Sequence, residues 1–99
     1  MDLKTSLTTA IKTGKVVLGT NKTEKTLLIG SPKLVIVSDD NKDKEKIKYF
    51  CKLGNVKCKI LKISSISLGE LCGKPFPVSA LAIINPGESN ILNIENWEQ

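Results

Sequence analysis

Leu34-Val35-Ile36-Val37 stands between Pro32-Lys33 and Ser38-Asp39-Asp40-Asn41. A strand with one wet face alternates apolar and polar side chains, whereas this run is apolar throughout. It therefore reads as a central strand covered on both faces. Asp39-Asp40-Asn41 ends the strand and offers capping side chains for a helix over about residues 42–53. Within that helix Ile47, Phe50 and Cys51 fall on one face and Gly54 stops it. Lys42, Lys44, Glu45, Lys46 and Lys48 form its exposed side, most simply a solvated face.

Toward the amino end, Leu3, Leu7, Ala10 and Ile11 recur at helical spacing, predicting an amphipathic helix over 3–13 that Gly14 terminates. Lys15-Val16-Val17-Leu18, between Gly14 and Gly19, reads as a short strand. A second helix is expected over 20–29. Its last turn is Leu27-Leu28-Ile29, followed by Gly30 as cap and Pro32 as breaker.

Toward the carboxyl end, Lys57 to Ile63 interleaves apolar residues with lysines, as an edge strand guarded against further pairing does. Ser67-Leu68-Gly69-Glu70 has the S-x-x-E spacing of a capping box, so a short helix is expected from Ser67 to Cys72, closed by Gly73. Two prolines keep Lys74-Pro75-Phe76-Pro77 extended. Val78 to Ile84 reads as the last strand, ended by Asn85-Pro86-Gly87, and a short turn over Glu88–Leu92 leads to a polar tail.

Helices alternate with strands four times, without linker, repeat or low-complexity segment. That is the pattern of an α/β fold: a three-layer α/β/α sandwich on a four-stranded sheet, one domain over 1–99. The connection from the third strand to the last is short for a parallel crossover, so the sheet is expected to be mixed.

The 99 residues are enough for one modest core without disulfide or metal. The net charge is +5, with fifteen lysines, no arginine and no histidine, which favours a polyanionic partner. Without arginine, bidentate readout of guanine in duplex DNA is disfavoured, while lysine still serves phosphate. Without histidine, the usual general base for a nucleophilic residue is missing, so catalysis is not expected. Cys51, Cys58 and Cys72 make no C-x-x-C pair and read as small apolar residues rather than metal ligands. No cofactor is expected. No apolar run is long enough to cross a bilayer and the amino terminus lacks a signal pattern, so neither a membrane nor DNA is an expected partner, and the cytoplasm is the expected location.

Four segments occur in order with familiar spacing: Gly14-Lys15-Val16-Val17-Leu18-Gly19; Lys33 to Val37; Leu68-Gly69-Glu70-Leu71-Cys72-Gly73-Lys74-Pro75; and Ser79-Ala80-Leu81-Ala82 followed by Asn85-Pro86-Gly87-Glu88-Ser89. Over roughly residues 3–92 the chain resembles the L30e family of archaeal and eukaryotic large-subunit ribosomal proteins, within the kink-turn RNA-binding superfamily. The tail over 93–99, with Trp97, lies outside that likeness.

The resemblance implies an α/β/α fold whose second helix and adjoining loops bind a kink-turn or related internal loop of ribosomal RNA, with neighbouring ribosomal proteins as further partners. The superfamily's helix-two signature falls on Gly19, Asn21 and Lys25. The resemblance also puts Thr20 and Lys22 at this helix start, Asp40 (where the family often has asparagine) after the second strand, and Lys74 in the following loop. It makes Phe76, Pro77 and Val78 the apolar surface that receives an extruded nucleotide. Ser67, where relatives often carry an acid, is explained by capping.

The physical chemistry of those residues suits the role. Gly19 permits a tight turn, and the helix amino end offers unpaired N–H groups to phosphate. Asn21 carries both donor and acceptor for a base edge, and Lys22 and Lys25 share one helix face. Phe76 is either a stacking platform for an unpaired base or a plug over the core. Three other functions compete. A relative acting in a guide-RNA particle or on messenger RNA shares the fold. A nucleotide-binding enzyme lacks its G-x-G-x-x-G or P-loop element here. A protein–protein module would carry its charge incidentally.

Overall fold

In a computed structural model that describes residues 3–30, 32–89 and 91–93, the elements follow in the order α1 (Leu3–Thr13), β1 (Lys15–Leu18), α2 (Thr20–Ile29), β2 (Leu34–Ser38), α3 (Lys44–Leu53), β3 (Lys57–Leu61), α4 (Ser65–Leu71) and β4 (Ala80–Asn85), closing on a 3-10 turn at Ile91–Asn93. The sheet order is β1-β4-β2-β3. β2 runs parallel to β3, joined through α3, while β4 lies antiparallel to both β1 and β2. The sheet is therefore mixed, and connection length is not the reason: residues 62–79 between β3 and β4 are as many as residues 39–56, which carry the parallel crossover from β2 to β3.

Every residue of β2 is buried. Leu34 and Ile36 join Leu81 and Ile83 of β4 in a core against α1 and α4, completed by Leu3, Leu7, Leu68 and Val78. Val35 and Val37 turn the other way, with Ala80 and Ala82, against α2 and α3. The pairing Leu34↔Ile83, Val35↔Ala82, Ile36↔Leu81 keeps large residues on one face and small ones on the other. The small face lets α2 settle close with Thr23 as its only fully buried residue. Consequently only Leu27 of the expected apolar turn packs inward; Leu28 and Ile29 are 71% and 79% exposed.

Three boundaries differ from the sequence reading. α4 starts one turn early: Ser64, not Ser67, is the cap, and its hydroxyl accepts the Ser67 N–H at 3.1 Å. Ser67 thus donates its amide within the first turn instead of capping. α3 begins at Lys44, because Asn41 Oδ1 accepts the Asp43 N–H at 2.8 Å and folds 41–43 into a turn. The last strand begins at Ala80, since Val78 turns into the core and its N–H bonds the Ser65 carbonyl at 3.0 Å. At the far end Ile91 is fully buried and anchors the closing turn; Trp97 lies outside the described residues.

The carboxyl ends of β1, β2 and β3 share one rim of the sheet with the amino end of β4. Because α2, α3 and α4 each follow one of those strands, three helix amino ends gather at this rim.

Candidate nucleic-acid interface

The α2 amino end lies on this rim, directly after the edge strand β1. Gly19 is its N-cap, at φ 113° and ψ 149°, a backbone conformation that L side chains rarely adopt. Its N–H bonds the Ala80 carbonyl at 2.8 Å, tying the helix start to β4. With glycine at the cap, no side chain covers the first-turn amides, and no acidic residue sits in that turn. The partial positive charge of the helix end therefore stays available to an anion. Asn21, Lys22 and Lys25 are all exposed. At about 100° per residue they form one outward stripe, so a single ligand can meet all three.

Beside the stripe lies a polar cleft of about 390 Å³, lined by Thr20, Asn21, Asp40, Asn41, Lys42, Asp43, Ser65 and Ser79. Its floor is a hydrogen-bonded network. Asn41 Nδ2 donates to the Ser79 carbonyl at 2.9 Å and to Thr20 Oγ1 at 3.1 Å, and Thr20 and Ser79 share a hydroxyl bond at 2.9 Å. These bonds lock the start of α2 to the exits of β2 and the entry of β4. Asn41 is itself buried. Local pattern marks Asn41 only as a capping residue, because its partners lie 21 and 38 residues away.

Asp40 is a tie between elements. Its carboxylate accepts the Ser38 hydroxyl at 2.6 Å and the Ser65 N–H at 3.0 and 3.1 Å, holding the first turn of α4. The Ser38 and Ser65 bonds outweigh partial desolvation and hold the carboxyl below the usual aspartate range. Asp40, expected as an RNA contact, is exposed in the cleft while its carboxylate also holds Ser38 and Ser65, and Thr20 commits its hydroxyl to Asn41 and Ser79.

From α4 the chain returns through Gly73, at φ 73°, to the proline-flanked loop. Phe76 is 50% exposed and Pro77 is exposed, while Lys74 is half-buried. Val78, expected beside them at the surface, is 1% exposed and belongs to the core. Its place on the apolar shoulder is taken by Ile66, 62% exposed, which lines a second cleft of about 360 Å³ with Glu70, Lys74, Pro75, Phe76 and Pro77. Ile66 was hidden from the sequence reading by the misplaced cap. Starting α4 at Ser65 puts it in the first turn, facing out.

The cysteines are spent in packing. Cys51 and Cys72 are buried and Cys58 is half-buried. The Cys51 thiol is pushed up by its hydrogen bond to Cys58 and by burial, and Cys72 is pushed up to about 11 by burial. Among the described residues no three His, Cys, Asp or Glu side chains gather to hold a metal ion.

An α/β/α domain with a glycine-capped helix end free of any side-chain cap bond, lysines on the same stripe and an aromatic on an adjoining loop has the features of the nucleic-acid-binding class. The chain belongs to the ribosomal protein L7Ae/L30e/S12e/Gadd45 family, whose model matches residues 1–93. It is 47% identical to the large ribosomal subunit protein eL30 of Methanococcus maripaludis, over 99% of this chain and 94% of that one. It is 48% identical to the protein of the same name from Methanospirillum hungatei, over 95% and 98%. The eL30 of Methanocaldococcus jannaschii is 44% identical, over 95% and 87%.

Proposed function

We propose that this chain is a structural constituent of the large ribosomal subunit that binds a kink-turn or internal loop of ribosomal RNA. The observation that carries the reading is the glycine-capped start of α2, with Asn21, Lys22 and Lys25 exposed on one stripe beside a polar cleft. Phosphates meet the helix amides and the lysines, Asn21 addresses sheared purines, and the Phe76–Pro77–Ile66 shoulder receives the extruded base. Buried Asn41 positions these parts, and exposed Asp40 ties the start of α4 to them at the cleft. The name shared by the archaeal relatives supports the ribosomal role over a guide-RNA particle or messenger RNA. It equally supports a location on cytoplasmic ribosomes beside other ribosomal proteins, and a domain that binds without catalysing.

Binding isotherms on a kink-turn RNA and on one with its G·A pairs disrupted test the reading. Asn21→Ala should lose about 0.5–1.5 kcal/mol on the native RNA, the net worth of a hydrogen bond, and much less on the disrupted RNA. Equal losses on both would show that Asn21 does not read the paired purines.

The lysines are checked through salt. Lys22→Ala or Lys25→Ala should each reduce the magnitude of the slope of log K against log[salt] by about 0.7–0.9. An unchanged slope in both variants would leave these lysines as solvated surface and remove them from the site.

A further inference from the structure

The chain's net charge is concentrated in one part of the fold. Residues 42–62 hold eight of the fifteen lysines against only Asp43 and Glu45; the remaining residues hold seven lysines against eight carboxylates. The entire positive surplus thus lies on the stretch that forms α3 and the edge strand β3, outside the stripe on α2. Lys44 pairs with Asp39 at 2.9 Å and Lys46 with Glu24 at 3.5 Å. Lys42, Lys48, Lys52 and Lys57 are exposed.

The geometry of α3 sorts what remains. Ile47 and Cys51 face the sheet, and Lys46 leans toward α2 through Glu24. At about 100° per residue, Lys48 and Lys52 then fall together on the opposite flank, toward β3, with Tyr49 and Leu53 on the outward ridge. Tyr49 is 58% exposed and Leu53 is 67% exposed. Guarding the edge strand accounts for Lys57 on β3. It does not account for an exposed aromatic beside Lys48 and Lys52 on a helix that lies over the sheet. The face lies on the flank of α3 away from α2, so it is separate from the α2 site, while Lys42 before α3 lines the polar cleft.

We propose that the outer face of α3, through Lys48, Tyr49 and Lys52 and on to Lys57 at the β3 edge, is a second RNA-binding surface. It takes a further segment of the large RNA whose internal loop is read by α2, and in that respect it rests on the function proposed above. Phosphates lie along the lysines, which act as point charges, and an unpaired base stacks on the Tyr49 ring. Lysines flanking an exposed ring suit a flexible charged backbone with unpaired bases.

The test compares three probes: a short kink-turn hairpin, protein-free archaeal large-subunit ribosomal RNA, and salt-stripped large subunits. The variants are Lys48→Gln/Lys52→Gln, Tyr49→Ala and Asn21→Ala, each first shown by thermal melting to fold like the parent. On the long RNA the double lysine variant should reduce the magnitude of the salt slope by about 1.4–1.8, and Tyr49→Ala should weaken binding about fivefold or more with the slope unchanged. Neither should alter binding to the hairpin, whereas Asn21→Ala should weaken binding to both. Parent-like binding of the α3 variants to the long RNA overturns the proposal. So does an equal loss on the hairpin, which would merge α3 with the α2 site. A loss on stripped subunits alone, absent on protein-free RNA, would assign the face to a protein partner and also overturn it. If Asn21→Ala is silent on every probe while the α3 variants lose affinity for the long RNA, the α2 reading fails and the α3 surface stands.

Discussion

Phe76→Ala should weaken binding of a kink-turn RNA by about 1–3 kcal/mol, the usual worth of a base stacked on an aromatic ring. Two features of the loop support an effect of that size. The ring is already half-exposed, between Pro75 and Pro77 and next to Ile66. Its backbone is also set before RNA arrives, by the bonds Lys74 N–H to Gly69 O at 2.9 Å and Val78 N–H to Ser65 O at 3.0 Å. Little ordering entropy then opposes binding. Folding stability should fall by only about 1 kcal/mol, because half of the ring is solvated in the free protein and a fully buried phenylalanine costs about 3–5 kcal/mol to truncate. Both quantities are measured on the same variant. A stability loss in the upper range, with unchanged affinity of the folded fraction, would falsify the stacking role and make Phe76 a plug.

Gly69→Ala should destabilise the domain by about 1–3 kcal/mol, although alanine is the better helix former by about 1 kcal/mol. Gly69 lies buried in α4, and a Cβ there would stand 2.1 Å from the carbonyl oxygen of Phe76 and 3.1 Å from its carbon. Those are backbone atoms of a loop held between prolines, so the contact is relieved only by moving α4 or the loop. Either movement shifts the Phe76 shoulder, and RNA affinity of the folded fraction should drop with stability. Gly54→Ala is the control: its Cβ would meet nothing closer than 3.5 Å. Equal unfolding free energies for the two variants would show that the α4–loop approach carries no strain.

Most of the element list was legible in the residues because local pattern determines it. α1, β1 and α2 fall where apolar spacing and the glycines at 14, 19 and 30 put them. The unbroken Leu34–Val37 run marked the strand that is buried throughout, and the lysine-laced 57–61 segment marked an edge. Of the residues proposed to meet RNA, the family resemblance and residue chemistry point to Gly19, Asn21, Lys22, Lys25 and Phe76, and all but the half-buried Gly19 are exposed on one rim or its adjoining loop. Only the tertiary structure separates side chains left open at the rim from those whose polar groups are engaged across elements. Whether Val78 or Ile66 completes the apolar shoulder turned on which serine caps α4. That choice was made by the Asp40 carboxylate, 25 residues away, which accepts the Ser65 N–H and starts the helix a turn early. Asn41 likewise drew its importance from Thr20 and Ser79, partners that no local window contains. Spacing within one element is set by backbone geometry and is readable along the chain. The pairing of polar groups across elements is set by which strands become neighbours, and here that followed only once β4 had inserted between β1 and β2.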